Sequence, residues 1–248
     1  MKVPRDQEYH DHGSRWRFTT RAGFEGAEGI SRPPYEQFNL GLNVGDDPLA
    51  VQVNRSVLTR EIGAEPQLLA FMSQVHGTNI AEINGPTPEP VPYTDGMVSA
   101  TPGVGLAVLV ADCVPVMAQD PERGVIGVAH AGRLGAAAGI VPALVDRMVS
   151  LGAHAPDLQV VLGPAICGRC YEVPAAMRDA VEAQLPGSAC ETAQGTAGLD
   201  LRIGLARQLR ALGVGAVEID ERCTREDPDL FSHRRSSPTG RFAGVIRL

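Results

Sequence analysis

Residues 103–116 read Gly-Val-Gly-Leu-Ala-Val-Leu-Val-Ala-Asp-Cys-Val-Pro-Val, and this stretch decides the fold. Gly103 to Ala111 is a continuous apolar run with no polar alternation, the mark of a strand buried on both faces, and it is broken by Asp112, Cys113 and Pro115. Gly124 to Ala129 is a second run of the same kind, stopped by His130-Ala131-Gly132. Leu68 to Met72 is a third, shorter one, ending in Ser73-Gln74-Val75-His76-Gly77, with Asn79 to Ile83 expected as its return strand. Beyond His130, the residues Ile140, Ala143, Leu144, Arg147, Met148 and Leu151 fall at helical spacing, and Gly152 ends the helix. Val160 to Leu162, Val217 to Ile219 and Phe242 to Ile246 read as further strands. Leu201, Leu205, Leu209 and Leu212 form a helical stripe after a capping Asp200. A loop over Asn39 to Asp47 feeds another helix, capped by Asp46 or Asp47, with Pro48 in its first turn and Ala50, Val53, Val57 and Ile62 on one face. Pro86 to Pro92 is a proline-rich surface loop. Strands interspersed with helices predict an α/β class bordering on α+β, a layered sandwich of mixed sheets covered by helices.

Residues 1–15 are polar and aperiodic and read as a mobile leader in which His10 and His12 are available for ancillary metal contacts. Residues 16–248 read as a single catalytic domain. A net charge of −7 argues against nucleic acid or an anionic lipid surface as partner, since either needs a basic face. The longest apolar run, Val104 to Ala111, is far short of the roughly 20 residues of a membrane span. Five cysteines, odd in number and irregularly spaced, fit reduced thiols in a cytoplasmic setting. Cys167 and Cys170 make one Cys-x-x-Cys, and with no second pair of suitable spacing from Cys190 and Cys223 they read as structural. His154 and His233 read as surface or loop residues.

Three strands thus end in a group able to bind metal: His76, Cys113 and His130. One thiolate and two imidazoles suit zinc and leave a fourth position open, as catalytic rather than structural sites do. The ligands lie 37 and 17 residues apart, and no short zinc signature spans them. On spacing alone Cys113 reads better as a small buried apolar residue and the histidines as hydrogen-bonded loop residues than as a metal set. Asp112 is a candidate proton shuttle or partner to a ligand; Asp95 can do either or merely stabilise the Asp-Gly turn, and the turn is the preferred reading. Gln74 is a candidate substrate contact through its amide, or else satisfies a loop backbone. Arg55 and the group Arg234, Arg235 and Arg241 are candidate anion contacts.

Ser73-Gln-Val-His-Gly77, Gly105 to Val116, His130-Ala-Gly132, Gly163-Pro-Ala-Ile166 before Tyr171-Glu-Val173, Asn39-Leu-Gly-Leu42, Gly45-Asp-Asp-Pro48, and Phe231-Ser-His-Arg-Arg235 with Thr239-Gly-Arg241 together resemble the polyphenol oxidase or laccase-domain family. The likeness covers nearly everything from about residue 18 onward. The resemblance implies an α/β sandwich shared with certain bacterial toxin deamidases, zinc on His76, Cys113 and His130, and a purine nucleoside phosphorylase with adenosine deaminase activity. One departure stands out: the family usually reads His-Ala-Gly-Trp-Arg-Gly, and here Arg133 and Leu134 replace the tryptophan and arginine. An arginine at that place is a natural phosphate clamp, so its displacement bears on phosphorolysis.

The expected reaction is phosphorolysis of adenosine or inosine to free base and ribose 1-phosphate, with purine nucleoside and phosphate as small-molecule partners, in a monomer or homodimer. Aromatic residues make up 4% of the chain, so Phe71 and Tyr171 are among few available stacking partners for a purine. The competing expectations are a Cys-His hydrolase editing peptidoglycan precursors, with Cys113 as nucleophile, a metal-stabilised binding module, and a copper polyphenol oxidase. Copper in place of zinc is compatible with the ligand set. A multicopper centre is not, because it needs many more histidines than the six present.

Overall fold

The computed structural model describes residues 9–11, 14–24 and 26–248, with side chains from Trp16 onward. In chain order the elements begin with β1 (Tyr9–Asp11), β2 (Ser14–Phe18), β3 (Gly23–Phe24), β4 (Ala27–Glu28), α1 (Pro48–Glu61), β5 (Leu69–Ala70), β6 (Ile80–Glu82) and β7 (Gly96–Ser99). The centre comprises β8 (Gly105–Val110), β9 (Val114–Asp120), β10 (Val125–Ala131), α2 (Arg133–Ala138), α3 (Ile140–Ser150) and β11 (Gln159–Leu162). The last third adds α4 (Ala175–Gln184), β12 (Ala189–Glu191), β13 (Ala197–Leu199), α5 (Leu201–Ala211), β14 (Ala216–Ile219) and β15 (Phe242–Arg247).

Two mixed sheets carry the molecule. One runs β1-β2-β15-β8-β5 and the other β14-β11-β9-β10-β7-β6. They pack face to face, and strand alternation explains the layers. On β8, Leu106, Val108 and Val110 face the space between the sheets, where they meet Met117 of β9 and Ile126 and Val128 of β10. Ala107 and Leu109 face the other way, towards Leu58 of α1, Ile62 and the buried Phe38 and Leu40. The outer face of the six-stranded sheet is covered by Leu144, Val145 and Met148 of α3 and by Leu201, Leu205 and Leu209 of α5. The result is the expected layered sandwich with helices outside both sheets. Among the described residues, no helix is long and apolar enough to cross a membrane.

Several expectations hold in detail. Asp47 caps α1 by accepting the Leu49 N–H at 2.9 Å, and Asp200 caps α5 through the Ile203 N–H. Gly152 follows α3 with φ of +99°. Others are corrected. The segment at residues 79–83 is no return strand for β5: β6 pairs in parallel with β7 in the other sheet. Val114–Asp120 is a full strand despite Pro115, which lies near its start, where a missing N–H is tolerated. The buried face of α1 is Ala50, Val51, Asn54 and Leu58, with Val53 turned outward, because the Asn54 amide N–H groups bind the Gln37 and Asn39 carbonyls and the Ser31 hydroxyl and draw that side of the helix inward. Of the leader, His12 lies outside the described residues, and Tyr9–Asp11 pairs with β2 as a hairpin.

Candidate metal centre and the cavity around it

Consecutive strands β8 and β9 belong to different sheets, so the chain changes sheet at Ala111-Asp112-Cys113. Asp112 turns that corner with φ of +102°, a backbone that disfavours any residue but glycine. Its carboxylate is fully engaged: the Thr224 and Ser232 hydroxyls donate at 2.6 Å each and the Arg234 N–H at 2.7 Å. These bonds fix the corner and tie it to the C-terminal loops. Cys113 leaves the corner at the open end of the layer between the sheets. His130, on β10 directly opposite Pro115, shares the side of Ile126 and Val128 and so points to the same end.

His76 arrives on the loop after β5, itself in the left-handed region with φ of +61°. What holds it there is Asp95, wholly buried. The Asp95 carboxylate accepts the N–H groups of Val75 at 3.1 Å, His76 at 2.9 Å and Gly77 at 2.8 Å, and it lies 2.9 Å from Nδ1 of His130. Burial opposes the carboxylate's charge, but the bond from His130 and those from Gly77 and Val75 outweigh it and hold its pKa below the usual range. Asp95 does not merely serve its turn, as the sequence suggests. It shapes the His76 loop and orients His130.

The three donor atoms of His76, Cys113 and His130 lie within 4.8 Å of one another. Nε2 of His76 is 3.9 Å from the Cys113 sulfur, and the two imidazole rings meet edge to face with centroids 4.6 Å apart. Ligand atoms across a tetrahedral zinc ion stand about 3.3–3.6 Å apart given its usual bond lengths, so the set needs only slight closure around an ion. With Nδ1 of His130 engaged by a carboxylate, Nε2 is the nitrogen left to bind metal, the arrangement in which metal-ligating histidines are usually found. Gly132 makes the fit possible: a Cβ there would stand 2.7 Å from Cδ2 of His76 and 3.1 Å from the Cys113 sulfur. Residues, donor chemistry and room all suit a single cation. Without one, burial raises the Cys113 thiol, but the charge and hydrogen bond of His130 and the bond to His76 bring it down to about 6. Burial likewise lowers His130, and the Cys113 thiolate and Asp95 lift it to about 9.

The donors open into a cavity of about 590 Å³. Arg55, Gln74, Arg133, Arg234 and Arg241 line it. Leu134 is 55% exposed and is not among the lining residues, so of these two positions it is 133 that faces the cavity. Arg235 is not brought to the cavity. Its guanidinium donates to the carbonyls of Thr224 and Asp227 at 2.7 Å each and to that of Leu230, which makes it a clamp within the C-terminal loops. Gln74 lines the wall, but its amide pairs with Leu109 in both directions, N–H to carbonyl at 2.8 Å and carbonyl from N–H at 2.9 Å, completing the edge of β8 beyond β5. Arg55 lies 4.0 Å over the Phe71 ring and is lowered by burial to about 10. Arg241 is lowered by burial too. Arg234 sits 5.0 Å over the ring of Tyr171, which lines the cavity where Phe71 does not. His233 is a further lining residue.

Known proteins share both the sequence and the fold. A protein named purine nucleoside phosphorylase from Mycobacterium tuberculosis is 52% identical over 228 residues, spanning 92% of this chain and 89% of that one. Proteins of the same name from Corynebacterium glutamicum and Streptomyces coelicolor are 48% and 47% identical, over 93% and 96% of this chain and equal shares of their own. Among solved structures, hypothetical protein YfiH from Bacillus licheniformis superposes with a TM-score of 0.87 at 31% identity, covering 95% of this chain and 92% of its own. YlmD from Geobacillus stearothermophilus gives 0.83 at 34%, with the same coverage. The family model described as multi-copper polyphenol oxidoreductase laccase matches residues 15–248, and with these relatives on every side the chain belongs to that family.

Proposed function

We propose that the chain is a zinc-dependent purine nucleoside phosphorylase, releasing free base and ribose 1-phosphate from adenosine or inosine, with adenosine deaminase activity at the same centre. The observation that carries this reading is that one cavity holds both the three-donor set and four arginines, Arg55, Arg133, Arg234 and Arg241, in a chain of net charge −7. Relatives named purine nucleoside phosphorylase support it.

In this reading His76, Cys113 and His130 hold the ion, and Asp95 positions both imidazoles. Zinc held there supplies Lewis acidity at an open fourth position. Asp112 and Cys113 are the residues assigned to catalysis, Cys113 as a ligand and Asp112 through the corner it fixes. Arg133, Arg234, Arg241 and Arg55 bind hydrogen phosphate and hold its oxygen towards the ribose carbon; the new C–O bond forms as the glycosidic C–N bond breaks, and the departing purine nitrogen takes up the proton that the phosphate gives up. Tyr171 stacks the purine. Gln74 keeps the wall of the cavity in place, and Arg235 acts only through the loops it clamps. Copper on the same three ligands is the alternative metal.

The test is to incubate purified protein with adenosine and with inosine, each with and without phosphate, and to separate the products. Phosphate-dependent release of adenine or hypoxanthine with ribose 1-phosphate supports the reading. Inosine formed from adenosine without phosphate, and no free base with it, removes the phosphorylase half.

The Cys113 sulfur lying 3.9 Å from Nε2 of His76 favours one second reading, a Cys-His hydrolase with Cys113 as nucleophile, editing peptidoglycan precursors. A metal-free active protein, inactivated by alkylation at Cys113, selects it.

A further inference from the structure

Away from the cavity donors, a second group of side chains converges. Cys167 and Cys170 stand in a tight turn after β11, closed by the N–H groups of Cys170 and Tyr171 donating to the Cys167 carbonyl at 2.9 Å each. The segment after β14 runs alongside. Ala165 bridges Cys223 in parallel, and the Thr224 N–H donates to the Ala165 carbonyl at 3.2 Å. This pairing brings in Cys223 and, one turn later, Glu226, which a search for paired Cys-x-x-Cys motifs does not find. The three sulfurs and a Glu226 carboxylate oxygen lie within 4.8 Å of one another. The Cys170 sulfur is 3.4 Å from Oε1 of Glu226, and the Cys167 N–H points at the Cys223 sulfur from 3.4 Å.

We infer that Cys167, Cys170, Cys223 and Glu226 form a second metal site, a closed structural zinc site distinct from the open one in the cavity. Four donors, three of them thiolates, complete a tetrahedron with no position left for substrate, which is the mark of a structural zinc, and soft sulfur ligands select zinc over magnesium or calcium. Simple apolar packing explains the cluster poorly. Among the described residues the buried members of this small cluster are Ile166, Cys170 and Cys223, with Cys167 and Tyr171 packed against them, and a carboxylate stands at its edge. All three cysteines are free thiols.

Zinc here would join two loops that build the cavity wall. Ile166 and Tyr171, on either side of the Cys-x-x-Cys turn, both line the cavity. Thr224, next to Cys223, holds the Asp112 carboxylate at 2.6 Å, one residue from Cys113. A filled site therefore fixes the positions of Tyr171 and of the corner that presents Cys113.

Wild-type protein purified under reducing conditions is loaded with zinc, pulsed with N-ethylmaleimide and mapped by peptide mass spectrometry. Cys167, Cys170 and Cys223 should be protected at least tenfold, become reactive after chelation, and regain protection when zinc alone is restored. Metal analysis should give two zinc ions per chain, one of which persists in Cys113→Ala. The exposed Glu226→Gln is expected to keep its fold and bind the second zinc at least about tenfold more weakly, since it replaces one of four ligands by a neutral amide. Equal alkylation with and without zinc, a disulfide between any two of the three cysteines, loss of all zinc in Cys113→Ala, or unchanged affinity in Glu226→Gln would overturn the four-ligand site. Since none of these readings uses nucleoside turnover, the site stands or falls independently of the proposed activity.

Discussion

The Asp95 carboxylate lies 2.9 Å from Nδ1 of His130 and accepts the backbone N–H of His76 at the same distance, so one buried side chain positions both imidazoles of the candidate centre. Replacing it with asparagine keeps the shape and removes the charge that directs the His130 proton. Partners of metal ligands of this kind are worth about 10–100-fold in metal affinity, and Asp95→Asn is expected to lose that much. Competition against a chromophoric chelator reads the value, and an unchanged affinity would remove Asp95 from the centre.

Gly132 allows the ligands to meet. Its backbone, with φ of −73° and ψ of 166°, accepts alanine, so Gly132→Ala adds only a methyl group pressing on His76 and Cys113. Zinc affinity at the cavity should fall at least tenfold while the metal-free protein melts within a few degrees of wild type. Wild-type affinity in this variant would mean that the three side chains do not close on a common ion.

Arg133 is placed on the cavity wall and Leu134 away from it. If Arg133 binds phosphate, Arg133→Leu removes a charge-assisted contact of about 1.5–3 kcal/mol, which raises the KM for phosphate by roughly tenfold or more and leaves phosphate-independent conversion of adenosine to inosine nearly unchanged. Steady-state kinetics with phosphate as the varied substrate decides this. An equal loss in both reactions would point to damage at the centre instead.

A separate prediction concerns acid stability. Asp120 is completely buried. Burial opposes its charge, but N–H groups of His154 at 2.9 Å and Arg123 at 3.0 Å, with the Arg123 guanidinium at 3.1 Å, hold its pKa below the usual value. A depressed carboxylate stabilises the fold fully above its unfolded pKa of about 3.9, and that contribution fades as pH falls through the folded value. Asp120→Asn should therefore cost about 1–3 kcal/mol at pH 7, with the gap to wild type closing below about pH 4. Denaturant melts at the two pH values check the sign.

The legible parts of the chain are those whose reason is local. β8 and the first five residues of β10 are apolar because both their faces are covered, and of the residues that interrupt these runs, Cys113 and His130 are the ones that meet. Asp47, Pro48 and Asp200 announce their helices through capping chemistry. Pro115 reads as a break, yet it sits at the start of β9, where the sheet does not need its N–H. Asp95 is visible as a candidate partner in the Asp-Gly turn, but the turn reading takes precedence in sequence because its partners His76 and His130 lie 19 and 35 residues away. The same holds for Arg235 and Gln74: charge and amide are visible in the sequence, but the carbonyls of Thr224, Asp227 and Leu109 that occupy them are not. Cys223 and Glu226 join the Cys-x-x-Cys turn only through pairing beside Ala165, which spacing cannot reveal.

The central claim is that His76, Cys113 and His130 bind one metal ion, and anomalous diffraction at the zinc absorption edge tests it most directly. Crystals of the zinc-loaded protein, with data taken just above and just below the edge, should show a peak at about 2.3 Å from the Cys113 sulfur and about 2.0–2.1 Å from Nε2 of both histidines. The peak should disappear in Cys113→Ala. A zinc-loaded, catalytically active crystal with no peak at that position, and with a free Cys113 that reacts with an alkylating agent, would contradict the account.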